Sequence, residues 1–137
     1  METSAPHQLV IRIYYEDTDF SGVVYHASYL RFLERGRTET LRARGIDQAA
    51  LYGDGGIGAL AFAVRHMAID WLKPARMDDM ITVETQIGAI KGASLSLHQR
   101  ILRGDAILMT AEVLVALVAD GKPARMPAAL RAKLEVI

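Results

Sequence analysis

The pattern of apolar and polar positions divides the chain into a strand, a long helix and four further strands. Leu9, Ile11, Ile13 and Tyr15 share one face of a period-two pattern, with Gln8, Arg12 and Tyr14 on the other, which predicts a strand over Leu9–Tyr15. From Ala27 to Arg44 the period lengthens to about 3.6 residues. Tyr29, Leu30, Leu33, Gly36 and Leu41 gather on one side of this helix, and Arg31, Glu34, Arg35, Glu39 and Arg42 sit mostly away from them. Gly45 is well placed just past its end. Gly36 in the interior costs about 1 kcal/mol against alanine, which points to a close approach of the helix backbone to a sheet. Residues 46–60, containing YGDGGIG, read as a loop, because no Gly-Lys-Ser/Thr follows the glycines and no strand leads into them. Phe62–Leu72, Met80–Ile90, Ser94–Arg103 and Ile107–Ala119 are strands, separated by KPARMDD, Lys91–Gly92 and Gly104–Asp105. Ile107–Ala119 is apolar on both faces and is expected at the centre of the sheet. Ala128–Leu134 predicts a short last helix, and residues 1–7 a short lead.

This order predicts one curved antiparallel sheet with a long helix on its concave face, an α+β architecture in a single domain over 1–137. No βαβ unit repeats, which excludes a Rossmann-type arrangement. The opposite face and the edges are expected to need cover, and a second subunit is the usual way to supply it.

Composition narrows the functional classes. Lys+Arg and Asp+Glu both number 16, so no global basic field attracts nucleic acid or membrane. The absence of cysteine excludes a disulfide scaffold, a thiolate metal site and a cysteine nucleophile. METSAPHQ lacks the plan of a signal peptide, and the longest apolar stretch, 106–119, is interrupted by Thr110 and Glu112, so no transmembrane segment is expected and the chain reads as cytoplasmic.

The chemistry concentrates in YYEDTDFSGVVYHASY at Tyr14–Tyr29, where Glu16, Asp17 and Asp19 precede a glycine, a histidine and the start of the helix. A loop this rich in ionisable groups, opening a long helix, can set a carboxylate against the amides and the positive dipole end of that helix. Asp17 reads as the acid that holds the turn. Glu34, in a run of arginines, reads as an ion-pair partner. His66 and His98 read as structural, since nothing spaced around them completes a metal set.

The segment D-x-D-x-x-G-V-V-Y-H-x-x-Y at Asp17–Tyr29, followed by FLERGRTE, resembles the hotdog-fold acyl-CoA thioesterases, in particular the 4-hydroxybenzoyl-CoA thioesterase group and its Tol–Pal-associated subfamily. The resemblance continues through IDWLKPARMDD (69–79), KGASLSLHQRIL (91–102) and AEVLVALV (111–118). It implies a five-stranded antiparallel sheet wrapped around one central helix, and hydrolysis of an acyl-coenzyme A to free acid and CoA with no metal or cofactor. It makes Asp19 the catalytic carboxylate, as nucleophile or as general base for water, with His26 beside it. It makes Gly22, Val23 and Tyr25 substrate-contacting, with the His26 amide polarising the thioester carbonyl. Phe62 and Val64 are expected to line the acyl channel, and Lys91 to meet the coenzyme A phosphates from a neighbouring subunit, with Arg65, Lys73 and Arg76 as weaker candidates. The implied assembly is a homodimer or homotetramer. Two alternatives stay open: an acyl carrier protein as thioester donor, and a non-catalytic acyl-CoA-binding protein.

Overall fold

The computed structural model describes residues 5–135, so residues 1–4 of the expected lead lie outside the described residues, and His7 already belongs to the first strand. The elements are β1 (His7–Arg12), α1 (His26–Ala43), α2 (Gln48–Tyr52), β2 (Ala61–Trp71), β3 (Met80–Ile90), β4 (Ser94–Arg103), β5 (Ala106–Ala119), β6 (Lys122–Pro123) and α3 (Ala128–Leu134). All neighbouring strands pair antiparallel in the order β1-β3-β4-β5-β2, with the two-residue β6 beside β5. This is the five-strand, one-helix arrangement of the hotdog fold. β2 and β3, consecutive in sequence, lie on opposite sides of the sheet, so residues 72–79 form a crossover between them.

Strand alternation sends one set of side chains onto the helix. Ile81 and Val83 of β3, Leu95, Leu97 and Ile101 of β4, and Met109, Val113 and Leu117 of β5 are buried there. β5 lies between β4 and β2, as its apolar length predicts, though only its helix-facing side is fully covered and Glu112 is exposed. The outer face holds polar cross-strand pairs, Gln8 and Arg100 on Glu84 and His98 on Glu112.

Helix α1 buries Tyr29, Phe32, Leu33, Gly36, Thr40 and Leu41, whereas Leu30, expected on this face, is exposed. The close approach expected at Gly36 is present: a Cβ there would meet Val83 Cγ1 at 2.6 Å. The fully buried Gln99 bridges sheet and helix at this point, donating to the Leu33 carbonyl at 3.0 Å and to Thr85 Oγ1 at 2.9 Å, and accepting from Arg37 at 3.1 Å.

Two other differences have local causes. Tyr15 leaves the strand pattern because residues 15–17 form a 3-10 turn, with the Asp17 carboxylate accepting the Tyr14 amide at 2.8 Å. The region 46–60 is not all loop: Asp47 caps α2 by accepting the Ala50 amide at 3.2 Å. Among the described residues no helix is long and apolar enough to cross a membrane.

Candidate active site

The acidic loop is built on the crossover. The Val24 amide donates to the Ala75 carbonyl at 2.8 Å, and Val23 forms a bridge with Arg76. The crossover is held from below by the buried Tyr29, whose hydroxyl oxygen accepts the Ala75 amide at 2.8 Å. Burial raises the pKa of that hydroxyl, so it keeps its proton. On the far side Arg103 donates to the Pro74 carbonyl at 3.2 Å and to the Asp79 carboxylate at 2.8 Å. Burial opposes ionisation of Asp79, but the Arg76 amide and the Arg103 guanidinium outweigh it and hold its pKa below the ordinary value.

Within the loop Asp17 is buried; its carbonyl accepts the Tyr25 amide at 3.0 Å, tying the turn to the helix entrance. Asp17 is therefore a structural brace. Asp19 differs from it. Its Oδ1 accepts the Ser21 amide at 2.8 Å and the Ser21 hydroxyl, while Oδ2 has no partner among the described residues. The Ser21 hydroxyl, then the Ser21 amide, and more weakly the charge of His26 lower the Asp19 pKa, so the carboxylate is ionised at neutral pH. Gly22, at φ +85°, allows the chain to double back here, and its amide donates to the Asp19 carbonyl at 3.2 Å.

Asp19, Val23, Tyr25 and His26 line one open pocket of about 260 Å³ with Trp71 and Lys73. His26 is the first residue of α1, and among the described residues its amide has no acceptor, as helix geometry requires of a first-turn N–H without a side-chain cap. The 18-residue helix behind it adds its dipole to that free donor. An ionised carboxylate and a helix-terminal residue whose amide has no acceptor among the described residues thus line one solvent-accessible pocket. That pairing suits attack on a carbonyl group whose oxygen becomes negative.

The remaining expected residues lie elsewhere. Phe62 and Val64 line a second groove of about 230 Å³ with Glu34, Arg37 and Thr38 of α1. They stand opposite Leu117 and Val115 of β5, whereas Trp71 stands opposite Met109, so the two pockets belong to opposite ends of β2, about 23 Å apart along the strand. Lys91 lies at the β3–β4 turn, at the end of the sheet away from Asp19. One chain therefore does not gather Phe62, Val64 and Lys91 around Asp19. Glu34 does not form the expected ion pair within 4.0 Å among the described residues; its charge acts on Arg37, whose pKa burial lowers and Glu34 raises. His98 pairs with Glu112 on the outer face, and no group of three potential metal ligands occurs among the described residues.

Sequence reasoning did not identify Ser21 or Trp71. Ser21 was legible as turn chemistry, since an aspartate side chain in a loop accepts the backbone amide two residues on. Trp71 was hidden by a bulge. Val64 pairs with Val115 and His66 with Leu114, leaving Arg65 as the extra residue. Inward positions are therefore 62 and 64 before the bulge and 67, 69 and 71 after it.

Comparison with known proteins adds to this geometry. The chain is 44% identical over 128 residues to the acyl-CoA thioester hydrolase YbgC of Escherichia coli O6:H1, covering 91% of this chain and 92% of that protein. It is 44% identical over 124 residues to the acyl-CoA thioesterase YbgC of Haemophilus influenzae, covering 89% of each. The crystal structure of a probable thioesterase from Bartonella henselae superposes with a TM-score of 0.84 at 47% identity, covering 90% of this chain and 100% of that one. Residues 14–134 match the model of the thioesterase-like superfamily, which takes in the acidic loop, the whole of α1 and every strand but β1, and the chain belongs to that family.

Proposed function

We propose that the protein hydrolyses acyl-coenzyme A thioesters to free acid and CoA, with Asp19 as the reacting carboxylate. The observation that carries this reading is the ionised, Ser21-held Asp19 in the same pocket as the unpaired His26 amide at the N-terminus of α1. The relatives named acyl-CoA thioester hydrolases support the substrate class.

In this mechanism the thioester carbonyl lies with its oxygen toward the His26 amide, where the negative charge of the tetrahedral intermediate meets a fixed donor and the helix dipole. Gly22, Val23 and Tyr25 form the wall that the acyl-thioester passes. Two routes use the same carboxylate. Asp19 adds directly to the carbonyl carbon, the C–S bond breaks and the departing thiolate takes a proton, and water then hydrolyses the mixed anhydride. Alternatively, Asp19 accepts a proton from water as the hydroxyl adds to the carbon, and that proton leaves with the thiol. Rapid quench of a single turnover separates them, since only the first route leaves the acyl group covalently bound to Asp19. His26 carries its imidazole beside the same carbonyl and orients Asp19 or the water.

The single domain works as a dimer or a pair of dimers. β2 ends the sheet with an eleven-residue edge on which Val64 is half exposed, an arrangement that invites pairing with a second copy. Two-fold pairing along β2 runs the strands antiparallel. It brings Phe62, Val64 and the Lys91 end of one protomer toward Trp71 and Asp19 of its partner. The second groove then continues the catalytic pocket as an acyl channel, and Lys91 reaches the coenzyme A phosphates.

The test is thiol release from a panel of acyl-CoAs, with matched acyl carrier protein thioesters as a second arm. Wild type is expected to turn over the CoA thioesters faster, and Asp19→Asn to lose roughly 100- to 10,000-fold in kcat. Asp19→Asn at wild-type rate overturns the mechanism. Tight acyl-CoA binding with no thiol released makes the protein a carrier instead.

A further inference from the structure

His26 has few anchors. Its side chain is exposed and makes no hydrogen bond or ion pair among the described residues. Its ring meets the indole of Trp71, at a centroid separation of 4.7 Å and an interplanar angle of 54°. Trp71 in turn is fixed from behind. Its indole meets the edge of the buried Tyr29 at 5.1 Å and 62°, and Tyr29 meets Phe32 at 6.2 Å and 79°. These separations lie in the range where aromatic pairs prefer tilted and edge-on geometry. A train of rings therefore runs from Phe32 in the core, through Tyr29, to Trp71 at the pocket rim and ends on the imidazole.

The backbone that makes this possible is unusual for the strand. Without the Arg65 bulge, the parity set by Phe62 and Val64 would send Trp71 to the outer face. The strand ends at this residue, and the Leu72 and Lys73 amides both donate to the Leu108 carbonyl, at 2.9 and 3.0 Å, so the indole sits on a firmly tied stem. Yet Trp71 is 44% exposed, a large apolar ring left half in solvent beside a histidine.

We propose that Trp71 is a positioning residue for the hydrolysis: its indole holds the His26 imidazole at the Asp19 side of the pocket, so that the imidazole meets the thioester in one orientation. The proposal rests on the assignment of Asp19 and His26 above. Trp71 transfers no proton and forms no bond; it acts through His26 alone. An isolated imidazole at the mouth of a helix would move among staggered rotamers, and only some of these face the carboxylate. An aromatic wall removes the others. Its loss therefore lowers the fraction of enzyme ready to react and leaves the groove at Phe62 and Val64 unchanged.

The experiment uses two Trp71 variants of the full chain, with the His26→Ala variant as the second background. Trp71→Phe keeps a ring at the rim; Trp71→Leu keeps apolar volume without one; each is also placed in a His26→Ala background. Trp71→Leu is expected to lower kcat by about three- to tenfold with KM little changed, from the ordinary worth of an aromatic pair. Trp71→Phe is expected to restore most of that loss. In the His26→Ala background, Trp71→Leu is expected to cause no further fall. The second readout is independent of activity: the His26 ring-proton resonances lose the ring-current displacement of the indole in Trp71→Leu and keep most of it in Trp71→Phe. Unmoved His26 resonances overturn the proposal, as does an equal fall in kcat with and without His26. Moved resonances with wild-type kcat show a contact that does not serve the reaction, and overturn it too. Failure of the reading on which this rests looks different: Asp19→Asn then keeps its rate whatever the indole does to the imidazole.

Discussion

Asp17 and Asp19 are two residues apart and chemically alike, and the fold gives them opposite tasks. Asp17 is buried with its carboxylate on the Tyr14 amide, so it holds the turn. Asp19 lines the pocket and spends one oxygen on Ser21, while the other has no partner among the described residues. Ser21 is thus the residue that most favours ionisation of Asp19, the proposed reacting group. Hydrogen bonds to a carboxylate favour its charged form, and the Ser21 hydroxyl is the largest cause of the lowered Asp19 pKa. Ser21→Ala removes the hydroxyl and retains the amide, so the Asp19 pKa rises toward its ordinary value. The group still ionises well below neutrality, so kcat/KM at pH 7 changes little. The acid limb of the pH–rate profile moves to higher pH, because the carboxylate form is lost sooner as pH falls. A profile measured from pH 3 to 8 on wild type and variant checks this, and an acid limb that stays in place would remove Ser21 from the account. Asp19 stood out in the sequence because the motif around it is specific. The importance of Ser21 was legible only as local turn chemistry, which sequence reading passed over in favour of the acids.

At the scale of elements, the sequence pattern was sound wherever one period ran unbroken. β3, β4 and α3 have the predicted limits, and α1 is displaced by one residue at each end. It failed where the backbone changes conformation within a segment that looks regular. The 3-10 turn at 15–17 takes Tyr15 off the β1 face, and the bulge at Arg65 reverses the parity of β2, which no residue type in AFAVRHMAIDW announces. Gly36 shows the opposite case, in which one residue type predicts a tertiary contact. The helix approaches β3 so closely there that a methyl group would sit 2.6 Å from Val83 Cγ1, 3.1 Å from Thr85 Oγ1 and 3.2 Å from Gln99 Nε2. Val83 is fully buried and β-branched, so it cannot turn aside. Gly36→Ala gains about 1 kcal/mol of helix propensity and loses about 1–3 kcal/mol to overpacking. It also disturbs the bond from Gln99 to the Leu33 carbonyl. The net expectation is a loss of about 1–2 kcal/mol, read as a lower urea midpoint at unchanged slope. A higher midpoint would mean that the helix is free to move off the sheet.

At the scale of the molecule, the separation of the two pockets is the feature that sequence reading could not supply. Resemblance set Asp19, Phe62 and Val64 in one site and brought Lys91 to it from a neighbouring subunit, whereas a single chain puts the first at one end of β2 and the other three toward the opposite end. Both statements hold together if the working site spans two copies, with the carboxylate from one and the acyl groove from the other. This has a consequence that a site within one chain does not. Asp19→Asn removes the carboxylate and leaves the groove; Val64→Trp fills the groove and leaves the carboxylate. Each homodimer then has two defective sites. A mixed dimer has one site in which both defects meet and one in which neither occurs, because the intact Asp19 of the Val64→Trp protomer faces the open groove of the Asp19→Asn protomer. Random pairing after joint refolding makes half of the dimers mixed, so activity is expected to return to about a quarter of wild type. If each chain carried its whole site, both mutant protomers would stay defective in any company, and the mixture would show only the sum of the two weak activities. Thiol release before and after subunit exchange distinguishes the two outcomes, and persistence of the low sum after exchange has been verified by native mass spectrometry would confine the active site to one chain.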